Sequence, residues 1–293
     1  MKNASLPALD IPAILRQYGL RPSKGLGQNF LQDESALEKI TAIADIQPHD
    51  TVLEIGPGLG SLTRHLALAA AQVVAVELDE GLFPALRAVL APYANVRLIQ
   101  GDILKLRPAE LVPAPDYLVV ANIPYYITSI LLRHLLANSP QVAKSPQGES
   151  APRPRRLVLT VQEEVAERIC AAPGKLSLLA LSVQVFGKAE IAARIPCEAF
   201  YPVPNVASAV LQINIYPSPL IPSPLLDRFF WLAKAGFGQK RKTLRNALST
   251  IIPREEAEQR LVADGIDPQR RAETLNLDEW GKLCRGLSVT SRQ

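Results

Sequence analysis

The chain has 293 residues, 48% of them hydrophobic and 20% charged, with a net charge of +4. That length accommodates one large domain and a smaller one, and the composition is that of a folded chain. No apolar run approaches the ~20 residues that a bilayer span needs. The N-terminus lacks the apolar stretch of a signal peptide, and Cys170, Cys197 and Cys284 are an odd, scattered set that forms no disulfide framework. The expectation is a cytoplasmic protein with no membrane partner. Residues 1–200 hold 19 basic and 19 acidic groups, whereas 201–293 hold 13 and 9. A neutral front and a basic back suggest that the back meets a polyanion.

In chain order, residues 1–32 carry Arg21-Pro22-Ser23-Lys24-Gly25-Leu26-Gly27-Gln28-Asn29-Phe30-Leu31. Glycines, basic groups and amides in a row read as an arm able to close over a ligand, although composition alone favours an ordinary disordered arm. A helix is expected from about Asp33. Then strands Thr51–Ile55, Gln72–Leu78, Val96–Gln100 and Tyr117–Ala121 alternate with helices Ser61–Ala70, Glu80–Leu90 and Thr128–Ala137. Short apolar strands alternating with helices predict an α/β fold: a parallel, Rossmann-like sheet with helices on both faces.

The proline-rich stretch 138–156 reads as an exposed loop. Strand Leu157–Val161 and helix Glu163–Ala171 follow, then a β-rich region Leu178–Arg194 and a closing strand Ser208–Ile215. Four prolines within 217–224 mark a stiff linker, placing the domain boundary between 1–216 and 217–293. Beyond it the pattern is all helical, with segments Leu225–Ala235, Lys240–Ser249, Glu255–Ala263 and Leu277–Leu287.

Glu54-Ile55-Gly56-Pro57-Gly58-Leu59-Gly60 leaves the first strand of this series and opens a helix. Gly56, Gly58 and Gly60 let the backbone pass close to a ligand. Their G-x-G-x-G spacing is not the G-x-G-x-x-G of a dinucleotide site, which disfavours a nicotinamide dehydrogenase. Glu77 ends the next strand, where a carboxylate can accept both hydroxyls of a ribose, and Asp102 ends the one after, where it can accept from an adenine amine. Asn122-Ile123-Pro124-Tyr125 closes the fourth strand. A buried strand ending in an amide, a proline and an aromatic ring can hold a flat, amino-bearing ring such as adenine at the rim of the sheet. The Asn122 side-chain oxygen and the Ile123 carbonyl suit the two N–H groups of that amine, Pro124 presets the turn, and Tyr125 can stack on the base. His49, His65 and His134 are dispersed, and no metal site is expected. Lys240, Arg241, Lys242 and Arg245 cluster at a predicted helix start, a phosphate-binding candidate.

The ordered motifs E-I-G-P-G-L-G, V-E-L-D, G-D and N-I-P-Y resemble the class I methyltransferases that use S-adenosylmethionine. With Gly27-Gln28-Asn29-Phe30-Leu31, Asn122 to Ser129 and Phe237 to Asn246, the chain is similar to the ribosomal RNA adenine N6-dimethyltransferase family, nearest its small-subunit (16S) branch, from about Leu20 to Leu287. The resemblance implies that Asn29 and Leu31 touch the cofactor, that Gly56 lines its methionine arm, and that Glu77 and Asp102 hold its ribose and adenine. It implies that Asn122 lies between cofactor and target. It further implies S-adenosylhomocysteine as by-product, no metal, and a monomer acting on two adjacent adenosines near the 3′ end of 16S rRNA in the immature small subunit. Three features depart from the family pattern: Pro173 to Ser177, the Asn205 and Ala207 positions, and the 138–156 loop. The rivals are the large-subunit (23S) dimethyltransferase that confers macrolide resistance and a non-catalytic ribosome assembly factor on the same fold.

Overall fold

The computed structural model describes residues 6–112, 114, 116–137, 152–239 and 241–286. Among the described residues nine strands form in chain order: β1 (Phe30–Leu31), β2 (Thr51–Ile55), β3 (Gln72–Glu77), β4 (Val96–Gln100), β5 (Tyr117–Asn122), β6 (Pro154–Gln162), β7 (Gly187–Ile195), β8 (Phe200–Tyr201) and β9 (Ser208–Ile215). Seven of them make one sheet in the order β4-β3-β2-β5-β6-β9-β7. The β3–β4, β2–β3, β2–β5 and β5–β6 pairs are parallel and β6–β9 is antiparallel. The chain runs outward from β2 to β4 and then returns to start β5 on β2's other side. This leaves a crevice at the C-terminal ends of β2 and β5, where open α/β sheets bind ligands.

The inner strands β2, β3, β5, β6 and β9 carry runs of Val, Leu and Ile buried on both sheet faces, whereas β4 and β7 stay partly exposed. Val52, Val73, Leu118, Val120, Val158 and Val210 are buried together with Leu37 and Ile40 of helix Glu34–Ala44 and Leu62 and Leu66 of helix Ser61–Ala69. Burying each such side chain contributes roughly 1.5–3 kcal/mol against its conformational cost.

Within the described residues, the N-terminal arm from Leu6 onward is folded onto the domain. Asp10 caps helix Ile11–Gln17 by accepting from the Ala13 N–H, and Ile11 and Leu15 are buried. They pack with Phe30, Leu59, Leu82 and Ala85. The arm then enters β1, which pairs antiparallel with β8 through Phe30–Tyr201 and Leu31–Phe200. The apolar spacing Ile11, Ile14, Leu15 carried this helix, but seven residues that include Pro12 give a weak periodic signal.

Two other expectations are corrected. Leu178–Gln184 is a helix, not part of a β-rich region; Ser177 caps it, its hydroxyl accepting from the Ala180 N–H. A short apolar run fits strand or helix equally, and here the cap decides. The 138–156 loop is shorter than read, because β6 begins at Pro154 and takes in both arginines. Arg155 makes a two-pronged pair with Asp50 at 2.7 and 2.9 Å, and Arg156 bonds Asn214 Oδ1 at 2.7 Å and the Ala44 carbonyl at 3.0 Å. Residues 138–151 lie outside the described residues.

The chain forms two compact units, one of Met1–Ala166 and Ala189–Ile215, the other of Glu167–Lys188 and Tyr216–Gln293. A single cut at 216 therefore does not describe it: Glu167–Lys188, expected within the first domain, belongs to the helical unit. Within that second unit helices Leu226–Gly238, Leu244–Leu248, Arg254–Ala263 and Leu277–Gly286 surround fully buried Phe229 and Trp280. The Trp280 ring lies so close to Gly236 that a Cβ there would sit 2.8 Å from it.

Candidate functional site

The site is built from loops at the C-terminal ends of the parallel strands. After β2 the chain turns through Gly56, Gly58 and Gly60 with φ of +68°, +60° and +87°, values that only glycine adopts without strain. The turn brings the Gly58 N–H onto Glu77 Oε2 at 3.0 Å, while the Asp79 N–H donates to Oε1 at 2.9 Å. Glu77, the last residue of β3, is thus fixed by two backbone donors with its carboxylate in the cavity wall. Burial pushes its pKa up, with the Asp79, Gly58 and Leu78 N–H groups opposing. Glu54, one residue before the end of β2, is more deeply buried, and burial raises its carboxyl to about 8; the nearby Thr63 hydroxyl opposes and the Glu77 charge adds to the rise. Its Oε2 is buried without a hydrogen-bond partner although the residue lines the cavity. Asp102, after β4, lines the same cavity; its Oδ1 accepts from the Leu104 N–H at 3.0 Å, and Lys105 Nζ stands 3.8 Å from Oδ2.

Opposite this cradle, β5 ends at Asn122. Its side-chain nitrogen donates to the Asn29 carbonyl at 3.1 Å, which leaves Oδ1 as the free acceptor of the amide. Ile123 is buried, Pro124 holds φ at −59°, and Tyr125–Ile127 makes one 3₁₀ turn. Thr128 Oγ1 donates to the Tyr125 carbonyl at 3.0 Å, and the Tyr125 hydroxyl shares a 2.7 Å hydrogen bond with Ser208 Oγ. Tyr126 beside it is 59% exposed. One cavity is therefore lined by Asn29, Leu31, Gly56, Gly58, Glu77, Asp102, Asn122, Ile123, Pro124 and Tyr125, residues up to 96 positions apart.

Gly60, expected against the cofactor, does not line this cavity. It starts helix Ser61–Ala69 instead, and a Cβ there would meet Leu86, Val89 and Leu90 at 3.2–3.3 Å. The basic cluster differs more. Lys240 lies outside the described residues. Arg241 and Lys242 are exposed, but in a turn ahead of helix Leu244–Leu248, so they do not fan around it. Arg245 does not stand free: its side chain is 16% exposed and bonds Glu258 at 2.9 Å. Leu244 and Leu248 face the core as expected.

Sequence reasoning assigned no role to three further residues at the site. Gln28 accepts from the Ser23 N–H at 2.7 Å and donates to Asp79 Oδ2 at 2.6 Å, tying the arm to the segment after Glu77. Both Gln28 and Asp79 lie inside motifs already singled out, so a signal existed. Ser208 was read only as the start of the closing strand, and nothing local points to its partner Tyr125, 83 residues away.

A parallel sheet reversing at β2 and β5, a glycine turn that presents a strand-end glutamate, and an amide-aromatic loop across from it define a class I methyltransferase fold. The chain belongs to the ribosomal RNA adenine dimethylase family, whose profile matches residues 20–287. It is 45% identical to the ribosomal RNA small subunit methyltransferase A of Dehalococcoides mccartyi, over 96% of this chain and 94% of the relative. A dimethyladenosine transferase from Plasmodium falciparum has a similar structure, with a TM-score of 0.71, 26% identity, and coverage of 87% of this chain and 95% of that one. The 23S rRNA methyltransferase ErmE is similar at a TM-score of 0.68 and 27% identity, covering 88% and 98%. The chain is thus an rRNA adenine dimethyltransferase. Among the described residues no helix is long and apolar enough to cross a membrane, and no cluster of His, Cys, Asp and Glu is placed to hold a metal ion.

Proposed function

We propose that this enzyme makes N6,N6-dimethyladenosine at two adjacent adenosines in a hairpin loop near the 3′ end of 16S rRNA, in the immature small subunit, with S-adenosylmethionine as donor. The observation that carries the reading is the fixed amide of Asn122, held by its nitrogen so that its oxygen is the acceptor at the rim of a cavity containing Glu77 and Asp102. The cavity suits the donor: its orphaned Glu54 Oε2 can take an N–H, and glycines at positive φ leave room beside the backbone.

In this reading Glu77 accepts from the ribose hydroxyls, Asp102 from the adenine amine, and Gly56, Gly58, Asn29 and Leu31 line the rest. Bound S-adenosylmethionine supplies a methyl group already activated by its sulfonium. Asn122 Oδ1 and the Ile123 carbonyl accept the two N–H groups of the target amine, draw them out of the ring plane and turn the lone pair outward. An amide does this without adding a further negative charge to the cavity that holds Glu77. Tyr125 stacks on the base, worth ~1–3 kcal/mol, and most of the remaining acceleration comes from in-line positioning. The base leaves its stack to reach this pocket, so a loop adenosine is a better target than a duplex one. Arg241, Lys242 and Lys240 are the proposed phosphate contacts, in a cytoplasmic protein acting as a monomer.

The small-subunit choice is supported by the name and the near full-length match of the Dehalococcoides relative, while the likeness to ErmE keeps the 23S reading as the alternative. The test is incubation with labelled S-adenosylmethionine and both ribosomal subunits from an unmethylated strain, followed by nucleoside analysis. Labelled dimethyladenosine in 16S rRNA is expected; label confined to 23S rRNA, or none, overturns the proposal.

A further inference from the structure

The mechanism uses the ring of Tyr125 but leaves unexplained why that ring is tethered at its far end. Its hydroxyl meets Ser208 Oγ at 2.7 Å, and Ser208 is fully buried at the first position of β9, opposite Gln162 of β6. At the near end Thr128 Oγ1 holds the Tyr125 carbonyl at 3.0 Å, and the Ile127 N–H donates to the Pro124 carbonyl at 3.2 Å. The ring is therefore held at both ends, one on its own loop and one on the seven-stranded sheet. Among the described residues nothing anchors the hydroxyl of Tyr126, next in sequence, and that residue is 59% exposed.

A side chain needed only for apolar area would not require this hydroxyl, since a phenylalanine fills nearly the same space. A buried serine is well suited to one task here, which is to fix the angle at which the Tyr125 ring waits for a base. Fixing the ring before the base arrives removes an ordering cost that would otherwise fall on the productive complex.

We propose that Ser208 is a positioning residue for the methyl-transfer reaction, acting through the Tyr125 hydroxyl to preset the ring against which the target adenine is held. The inference rests on the base-stacking role of Tyr125 given above. Because the hydrogen bond is shared, either partner's loss releases the ring to the same extent, and the second loss adds nothing.

The experiment is a double-mutant cycle with Ser208→Ala and Tyr125→Phe, measured as single-turnover methylation at saturating RNA and cofactor, with cofactor affinity and thermal midpoint measured on the same proteins. Each single variant is expected to slow transfer about tenfold, the loss of one buried hydrogen bond, and the double variant is expected to match the slower single one. Cofactor affinity stays within about twofold, because neither group holds the cradle. Losses that multiply in the double variant, or parental rates in the singles, overturn the inference. If Ser208→Ala fails to fold, Tyr125→Phe alone decides, with a parental rate counting against the proposal. Tyr125→Ala separates the two levels: a parental rate there refutes the stacking role itself, whereas a slow Tyr125→Ala with a parental Tyr125→Phe refutes only the role of Ser208.

Discussion

The side-chain nitrogen of Asn122 donates to the backbone carbonyl of Asn29, 93 residues earlier in the chain, at 3.1 Å. One bond thereby joins the N-terminal arm to the loop after β5, two segments that border the same cavity. It also fixes which end of the amide faces the cavity.

Replacing Asn122 by alanine removes both functions, but unequally. Transfer is expected to fall by about two orders of magnitude or more, the scale seen when one preorganised polar group is lost from a reacting centre. Cofactor binding should weaken only about two- to tenfold, the net worth of a single hydrogen bond holding the arm. Single-turnover rates beside calorimetric titration separate the two, and undiminished methylation would falsify the role of Asn122.

Gly58 is constrained twice, by a φ of +60° and by the Phe30 ring, whose nearest atom would lie 3.0 Å from an added Cβ. Gly58→Ala should cost about 1–2 kcal/mol from backbone strain alone. It should also displace Phe30 and weaken cofactor binding at least tenfold. Gly25→Ala, with an unstrained backbone and its nearest neighbour at 3.9 Å, is the control and should be near neutral. Denaturant titration and cofactor affinity measure both.

The Glu54 carboxyl, raised by burial from an ordinary 4.5 to about 8, makes stability depend on pH. The unfolded chain releases this proton near 4.5 and the folded chain only near 8. The stabilisation from keeping Glu54 neutral is therefore full below 4.5 and is lost as pH rises through 8. In Glu54→Gln the site no longer titrates. Its melting temperature should gain on the parent's between about pH 5 and 9 in cofactor-free protein and level off above. A constant gap across that window would mean that the carboxyl ionises normally.

Asp50 behaves in the opposite sense. Burial opposes its charge, but the hydrogen bonds from Arg155 and the Gln47 N–H hold its pKa below the usual carboxylate value. Arg155→Leu leaves the 3%-exposed carboxylate without its partner. The loss should be about 3 kcal/mol near neutral pH, the lower end for breaking a buried pair because the guanidinium is partly solvated. Stability from a lowered pKa is present above 3.8 and disappears as pH falls further, so the deficit should shrink below about pH 4. Thermal unfolding across that range checks the sign.

For RNA, charge removal at Arg241 and Lys242 should lower the slope of log affinity against log salt by roughly 0.7–0.9 for each phosphate no longer neutralised. Arg245→Gln should leave that slope unchanged and lower stability instead, since Arg245 is committed to Glu258. Filter binding of an rRNA hairpin over a salt series tests both, and equal slopes for all the variants would remove the turn from the interface.

Much of this protein was legible in its sequence, and the reason is local. The strand and helix rhythm from Thr51 to Ala137 reads directly because apolar strands buried on both faces and amphipathic helices have different periods. Glu77, Asp102 and Asn122 were legible because strand-end residues of a parallel sheet share one rim wherever they fall in the chain. What the sequence hid were choices that turn on partners far away. Leu178–Gln184 suits either period, and its serine cap with its packing in the helical unit made it a helix. Gly60 resembles its neighbours in the motif, yet helix packing claimed it. Arg245 looks like its basic neighbours, yet Glu258 neutralises it. Ser208 and Tyr125, the ends of one hydrogen bond, carry no mark of each other in the chain. Local periodicity and strand-end position thus set the architecture and most of the cavity. Only tertiary contact decided which polar groups are already paired and which remain free to act on a ligand, because a hydrogen bond is fixed by distance in space and not by separation in sequence.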